Sequence, residues 1–213
     1  MEGTPTLKEL KMFANYITQK SLLSSEECKL IRESCLKDLK VGELSTPDEN
    51  GHVRESVRKA KASFIYQDKG VYTQSEELKL VIDKVIWMFC NIAEEAFKCP
   101  LGAIEPIQFG QYTEEEFYDW HMDAGPQTDR DISASVFLND PKDYEGGDFE
   151  FSTESLAVPV QEQGTILVFP SLLMHRVSPV KKGERHSLVL WGARNPPTFA
   201  PEMTLELEEK KDA

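Results

Sequence analysis

At Ile104 the hydrophobic period of the chain changes from 3.6 residues to two, and that change narrows the folds open to it. Beyond it, residues 104–112, 132–138, 148–151, 165–169, 176–180 and 187–191 each read as a short strand rich in β-branched and aromatic residues. Turn chemistry separates them: Asn139-Asp140-Pro141, Gly146-Gly147, Gln163-Gly164, Pro170-Ser171 and Lys182-Gly183. Short strands at this spacing pair antiparallel and close into a sandwich or jelly-roll barrel. Upstream the pattern is helical. Ser24 and the acids Glu26 and Glu27 open an apolar run through Leu30, Ile31 and Leu36. Ser75 opens a longer helix whose apolar face is Leu78, Val81, Ile82, Val85, Ile86, Phe89 and Ile92, with an end expected near Cys99-Pro100. The expected fold class is α+β and mainly β, with two N-terminal helices against the outside of one sheet.

The 213 residues suit a single structural domain. Its parts are an N-terminal helical support region over 1–103, a strand-rich core over 104–199 and an acidic C-terminal tail over 200–213. The support region holds a strand near 62–67 and a polar loop at 41–59, with Gly42, Pro47 and Gly51, for which a lid over the site is one role left open. No run of about 18 apolar residues is present and the N-terminus lacks the apolar centre of a signal peptide, so no membrane partner is expected. Cys28 and Cys35 are seven apart, on one face of a helix, and no cysteines form a C-x-x-C pair. Buried reduced thiols and a reducing, cytoplasmic compartment are expected. A formal net charge of −13 argues against a groove that tracks phosphates, so no nucleic-acid partner is expected; a basic protein or peptide would suit it.

The chemistry is concentrated in His121-Met122-Asp123, His175 and Arg185. Residues two apart on a strand share a face, so His121 and Asp123 can converge on one ion. A second histidine from a distant strand, His175, completes a set of two imidazoles and one carboxylate, the facial triad of non-haem Fe(II) oxygenases. Such a triad leaves positions free for a 2-oxo acid and O2. The far carboxylate of a 2-oxo dicarboxylate then needs a cation, and Arg185 lies ten residues beyond His175, after the Lys181-Lys182-Gly183 turn. Arg185, Ser187, Val189 and Trp191 share one strand face, which must be the inner one if Arg185 serves the site. His186 then faces the other way and reads as structural, while His52 sits in the polar loop and reads as solvated. Arg176 is the fallback cation should Arg185 point elsewhere.

These blocks resemble the Fe(II)/2-oxoglutarate dioxygenases, in particular the prolyl 4-hydroxylase-like group and the bacterial PKHD-type hydroxylases. The resemblance runs over residues 104–194. It is carried by Tyr112, Tyr118, His121 and Asp123; by the segment from Arg130 through Asp140; by Asp143-Tyr144-Glu145-Gly146-Gly147-Asp148; and by His175-Arg176-Val177-Ser178-Pro179-Val180, Gly183-Glu184-Arg185 and Trp191. It implies a double-stranded β-helix (a jelly roll, cupin-like), with Fe(II) on His121, Asp123 and His175. It also implies Arg185 on the C5 carboxylate of 2-oxoglutarate, Tyr112 as a hydroxyl partner and Trp191 lining the cofactor pocket. O2 as co-substrate and ascorbate as reductant belong to the same implication.

The implied activity is hydroxylation of a prolyl residue in a protein or peptide, as in procollagen-proline 4-dioxygenases, coupled to decarboxylation of 2-oxoglutarate to succinate and CO2. Two alternatives stay open: the same chemistry on a small molecule or free amino acid, and a non-catalytic metal-binding module. Three departures bear on the site. Thr113-Glu114-Glu115-Glu116 replaces a segment where the family often has glycine; the acids read first as a solvated surface face, with an acidic rim that steers a basic substrate as the alternative. Phe137 stands where some prolyl hydroxylases have a tyrosine on 2-oxoglutarate. Asp123 keeps the carboxylate that a halogenating subgroup lacks, which favours hydroxylation.

Overall fold

The computed structural model describes residues 11–13, 16–41, 58–67, 69–126, 128–152, 158 and 161–194. Residues 42–57 of the polar loop, His52 among them, and the 200–213 tail lie outside these. The first described elements are strands β1 (Lys11–Phe13) and β2 (Tyr16–Gln19), helix α1 (Ser25–Cys35), and strands β3 (Lys40–Val41), β4 (Arg58–Lys59) and β5 (Lys61–Ile65). Helix α2 (Glu76–Phe97) follows. The remainder is β6 (Ala103–Ile104), β7 (Ile107–Tyr112), β8 (Phe117–His121), β9 (Ile132–Phe137), β10 (Tyr144–Gly146), β11 (Phe149–Phe151), β12 (Ile166–Pro170), β13 (His175–Val177), β14 (Val180–Gly183) and β15 (Arg185–Ala193).

Both helices begin as their caps dictate. Ser24 accepts from the Glu27 backbone while Glu27 returns a bond to the Ser24 N–H, a reciprocal capping box. Ser75 accepts from Leu78 N at the start of α2. That helix ends at Phe97, two residues before Cys99, and its cap Lys98, with φ of 53°, breaks it in the left-handed region. Cys28 and Cys35 are both buried free thiols, on the face of α1 that meets the core.

The strands form a jelly roll of two opposed antiparallel sheets. The larger is ordered β1-β2-β12-β9-β15-β7-β5-β3, with β6 beside β15; the smaller is β11-β13-β8-β4, and β10 and β14 make a separate ribbon. Alternation sorts the side chains of the large sheet. Ile132, Ala134 and Val136 of β9, Ile166 and Val168 of β12, and Leu188 and Leu190 of β15 pack with α1 and α2 in one core. Their neighbours Phe137, Leu167 and Phe169 turn inward and pack with Phe149, Phe151, Val177 and Val180. β12, buried on both faces, reads as the continuous apolar run Ile166-Leu167-Val168-Phe169, whereas β9 keeps its alternation because Ser133 and Ser135 alternate with Ile132, Ala134 and Val136.

The N-terminal region supplies strands as well as helices. β2 pairs with β12 and β5 pairs with β7, so it extends the large sheet on both sides of the core strands. The strand expected over 176–180 is two strands. Ser178 N bonds back to Asp148 O, and Pro179, which has no N–H, lies where the chain leaves β11 and turns to pair with β10. β15 is longer than expected, and Gly192 near its end leaves room for α2: a Cβ there would meet Leu101 Cδ1 at 2.5 Å and Phe89 Cε1 at 3.1 Å.

Phe89 is fully buried where α2 crosses this glycine. Phe89→Ala is expected to destabilise the protein by about 3–5 kcal/mol. Chemical denaturation should show a lowered midpoint with an unchanged slope, since the surface exposed on unfolding is the same.

Candidate metal and cofactor site

The small sheet brings two histidines face to face. β13 pairs with β8 so that His175 lies directly opposite His121, with ring centroids 4.2 Å apart. Each ring is fixed through Nδ1: His121 lies 2.8 Å from Asp119 O, and His175 2.7 Å from Leu173 O. A carbonyl oxygen only accepts, so each Nδ1 carries the hydrogen and each Nε2 keeps a lone pair. Asp123 lies two residues past the end of β8, so strand alternation is not what orients it. Instead Asp123 N and Ala124 N both donate to Ser171 O at 3.0 Å. The carboxylate meets the two Nε2 atoms at 3.7 Å and 3.6 Å, too long for hydrogen bonds but close enough for one ion to touch all three groups. The ligand atoms of His121, Asp123 and His175 lie within 4.8 Å of one another.

Electrostatics agree with that use. Burial, then the neighbouring His175, hold the His121 pKa down at about 4, and burial also lowers that of His175. Both rings are therefore neutral near pH 7, and their contacts with Asp123 are not ion pairs. Tyr118 stacks on His121 with centroids 3.5 Å apart, while Phe149 stacks on His175 at 5.2 Å and Phe169 meets it edge-on at 4.8 Å. Asp123 Oδ2 is buried and has no hydrogen-bond partner among the described residues. Two lone pairs and an unsatisfied carboxylate oxygen, aimed at one point, fit a divalent cation of the kind a facial triad holds.

Arg185 lies deeper. It is only 1% exposed, donates from Nη1 to Ser187 Oγ at 3.1 Å, and sits 5.5 Å and 5.6 Å from the ring centres of Tyr112 and Phe137. Among the described residues its Nε and Nη2 have no hydrogen-bond partner in good geometry, no carboxylate pairs with it, and the Tyr144 hydroxyl is a polar neighbour. Gly147 makes room for its stem: with φ at 64°, a Cβ there would stand 3.0 Å from Arg185 Cδ. Arg185, Ser187, Val189 and Trp191 all line one pocket with Tyr112, His121, Asp123 and His175. The buried unpartnered Nε1 of Trp191 belongs to the same pocket. Five described residues carry buried side-chain nitrogens or oxygens without partners, and all but Thr165 line this pocket or the vestibule outside it.

Other candidates fall elsewhere. Arg176 is paired with Glu150 at 2.7 Å and lies over Trp120, so it is no substitute for Arg185. Arg130 makes a two-pronged pair with Glu105 and covers the Trp191 ring at 4.0 Å, on the vestibule wall. The acid run does not rim the entrance. Glu116 is buried and accepts from Thr113 N at 2.7 Å, closing a turn in which Glu115 has φ of 64°. None of Glu114, Glu115 and Glu116 lines the pocket or the vestibule. One vestibule residue, Arg58, has no distinguishing signal in the sequence, where it is one basic residue among Arg54, Lys59 and Lys61.

Residues 107–192 match the sequence profile of the 2OG-Fe(II) oxygenase superfamily. A PKHD-type hydroxylase of Prochlorococcus marinus (strain NATL2A) is 28% identical over 179 residues, which are 83% of this chain and 76% of that protein. A Pseudomonas putida prolyl-4-hydroxylase superposes with a TM-score of 0.64 at 23% identity, covering 85% of this chain and 94% of its own. A Trichoplax adhaerens prolyl hydroxylase, in complex with a hypoxia inducible factor oxygen degradation domain peptide fragment, does so at 0.67 and 17% identity, covering 84% of each chain. Likeness at those identities is likeness of fold. Over residues 107–192, barrel, residue set and profile all resemble those of the 2OG-Fe(II) oxygenases. Over more of its length the chain is similar to the PKHD-type hydroxylases, and it shares the fold of the prolyl 4-hydroxylases.

His186, beside Arg185, projects to the helix side and is satisfied as a neutral ring. Its Nδ1 lies 3.2 Å from Asn139 Oδ1, so that nitrogen carries the hydrogen and Nε2 accepts from Gln111 Nε2 at 3.3 Å. Burial, then Arg32 and Arg185, lower its pKa from 6.5 to about 4, although Glu184 stands 3.6 Å away. A depressed histidine binds its proton more readily in the unfolded chain. Its contribution is thus complete above pH 6.5 and is lost as pH falls from there towards 4, on the order of 3 kcal/mol in all. Urea titrations over that range should show a shallower pH dependence in His186→Gln than in the parent; equal slopes would count against a neutral buried ring.

Proposed function

We propose that this chain is an Fe(II)- and 2-oxoglutarate-dependent dioxygenase that hydroxylates a prolyl residue in a protein or peptide. The observation that carries the reading is the pocket's set of unsatisfied groups. A carboxylate oxygen and two imidazole lone pairs converge at one place, and a buried cation without an anion lies deeper in the same chamber. A structural metal site accounts for the first and not for the second. Prolyl hydroxylase folds in the comparison, one of them holding a peptide, support the substrate class.

His121, Asp123 and His175 would hold the iron, each imidazole kept in its ligating tautomer by a backbone carbonyl. An Fe(II) ion bound there would supply the chemistry that couples reduction of O2 to oxidative decarboxylation of 2-oxoglutarate, with one oxygen atom entering succinate, the other the substrate carbon, and CO2 released. Arg185 presents its free Nε and Nη2 edge as a fork for the distal carboxylate of 2-oxoglutarate, while its third donor stays on Ser187. Tyr112 lines the same chamber and would add a hydroxyl contact, and the Trp191 Nε1–H is a further free donor at its wall. Phe149, Phe169 and Val177 wall the chamber with apolar surface and keep water from the reacting groups.

Arg185→Ala is expected to raise the apparent KM for 2-oxoglutarate by well over tenfold, as loss of a buried charge partner costs about 2–5 kcal/mol. Fe(II) affinity should stay near that of the parent, whereas His175→Ala should abolish iron binding measured by anaerobic titration. Full iron binding in His175→Ala would overturn the site. The substrate class is tested by mass spectrometry for the gain of one oxygen in proline-containing peptides against matched alanine peptides and free amino acids. Oxidation of free amino acids alone would replace the peptidyl reading with the small-molecule one.

A further inference from the structure

The vestibule outside the metal position contains a cation that the reaction just described does not use. Arg58 heads β4, opposite Tyr118 in the pairing of β4 with β8. It is only 8% exposed and lies with its guanidinium carbon 4.9 Å from the Tyr118 ring centre. Nη1 reaches Gln108 Oε1 at 3.4 Å, a long contact for N–H to oxygen, and Nε and Nη2 are buried without a hydrogen-bond partner among the described residues. The ring accounts for the flat face of the guanidinium and leaves the N–H edge unsatisfied.

Charges nearby are already committed. Arg130 is neutralised by Glu105 at 2.6 Å, and Asp123 belongs to the metal set. Among the described residues no carboxylate pairs with Arg58. The cavity these residues enclose is about 350 Å³, large enough for a residue-sized group, and shares Gln108, Tyr118, Asp123 and Trp191 with the inner chamber. A buried guanidinium is unstable without a partner, and its planar fork matches a carboxylate in two-pronged geometry. The chain is strongly acidic overall, with a formal charge of −13, so an unpaired cation here runs against its general surface charge.

We infer that Arg58 binds a carboxylate of the substrate, so that the carbon oxidised at the metal lies close to an anionic group. This rests on the oxygenase reading above and adds a specificity residue to it. The carboxylate has two sources, an acidic side chain beside the oxidised residue or a terminal α-carboxylate on it.

The test is anaerobic calorimetry on the full chain with Fe(II) and 2-oxoglutarate, using three probes: acetyl-Gly-Pro-Gly-amide, acetyl-Gly-Pro-Glu-amide and acetyl-Gly-Pro with a free carboxylate. One carboxylate probe is expected to bind at least about tenfold more tightly than the neutral one, and Arg58→Gln should cut that advantage to about twofold. The glutamate probe winning identifies a side-chain acid; the free-acid probe winning identifies a terminal carboxylate. Arg58→Lys keeps the stem and charge without the fork, and should lose part of the advantage with no change for the neutral probe. It serves if Arg58→Gln does not fold. Equal binding of neutral and carboxylate probes, no binding by either carboxylate probe, or an advantage that survives Arg58→Gln would overturn the assignment. Matched probes with alanine for proline separate the two readings. Alanine probes that bind as tightly as their proline partners, with the carboxylate advantage intact, retire the prolyl substrate and keep Arg58, whereas tighter binding of the proline probes with no carboxylate preference does the reverse.

Discussion

The pairing of β15 with β9 runs from Ser187 opposite Phe137 to Gly192 opposite Ile132, and the site depends on that register. Both strands are covered on two sides, by helices on one and by the barrel interior on the other. A slip of one residue would turn Leu188 and Leu190 into the chamber and send Arg185 and Trp191 towards α2. The apolar cost of that slip is what secures a guanidinium in the interior. On the other edge of β15, Arg185 stands opposite Tyr112 of β7, so the same register delivers both residues to one wall. The small sheet works to the same end, since its pairing of β8 with β13 sets the two histidines opposite each other.

Unsatisfied polar atoms mark where a folded chain keeps its groups available for something else. Each one buried without a partner costs on the order of 1–3 kcal/mol, so they are scarce in ordinary cores. Here Asp123, Arg185, Trp191 and Arg58 gather around one continuous hollow. The imidazoles are held neutral by burial in the same place. The hollow therefore offers acceptors at its middle and donors at the inner wall and the vestibule, an arrangement matched by a cation between two anionic ligands.

The jelly roll was legible because turn pairs such as Gly146-Gly147 and Gln163-Gly164 punctuate a period-two pattern. The convergence of His121, Asp123, His175 and Arg185 on one pocket was legible through their spacing. What escaped the sequence was decided by tertiary partners. Asp123 was read as a strand residue sharing a face with His121, yet a backbone carbonyl from another loop holds it. Glu116 looked like surface charge and instead closes a turn. The short strands β2, β3 and β4 have too few residues to show a period, and only pairing with longer strands defines them. Arg58 resembled its basic neighbours, because its burial comes from the fold and not from its local sequence.

Ser171 holds more of the site than its small side chain suggests. Its carbonyl receives the N–H groups of Asp123 and Ala124, its own N–H goes to Asp131 O, and its hydroxyl lies 2.8 Å from that of Ser133 on β9. It stands four residues before His175, so the carboxylate and the second imidazole are tied to one anchored stretch of backbone. An ion arriving at such a place finds its ligands already immobilised, and little conformational entropy remains to be surrendered on coordination. Less of the attraction between ion and ligands is then lost to ordering the site.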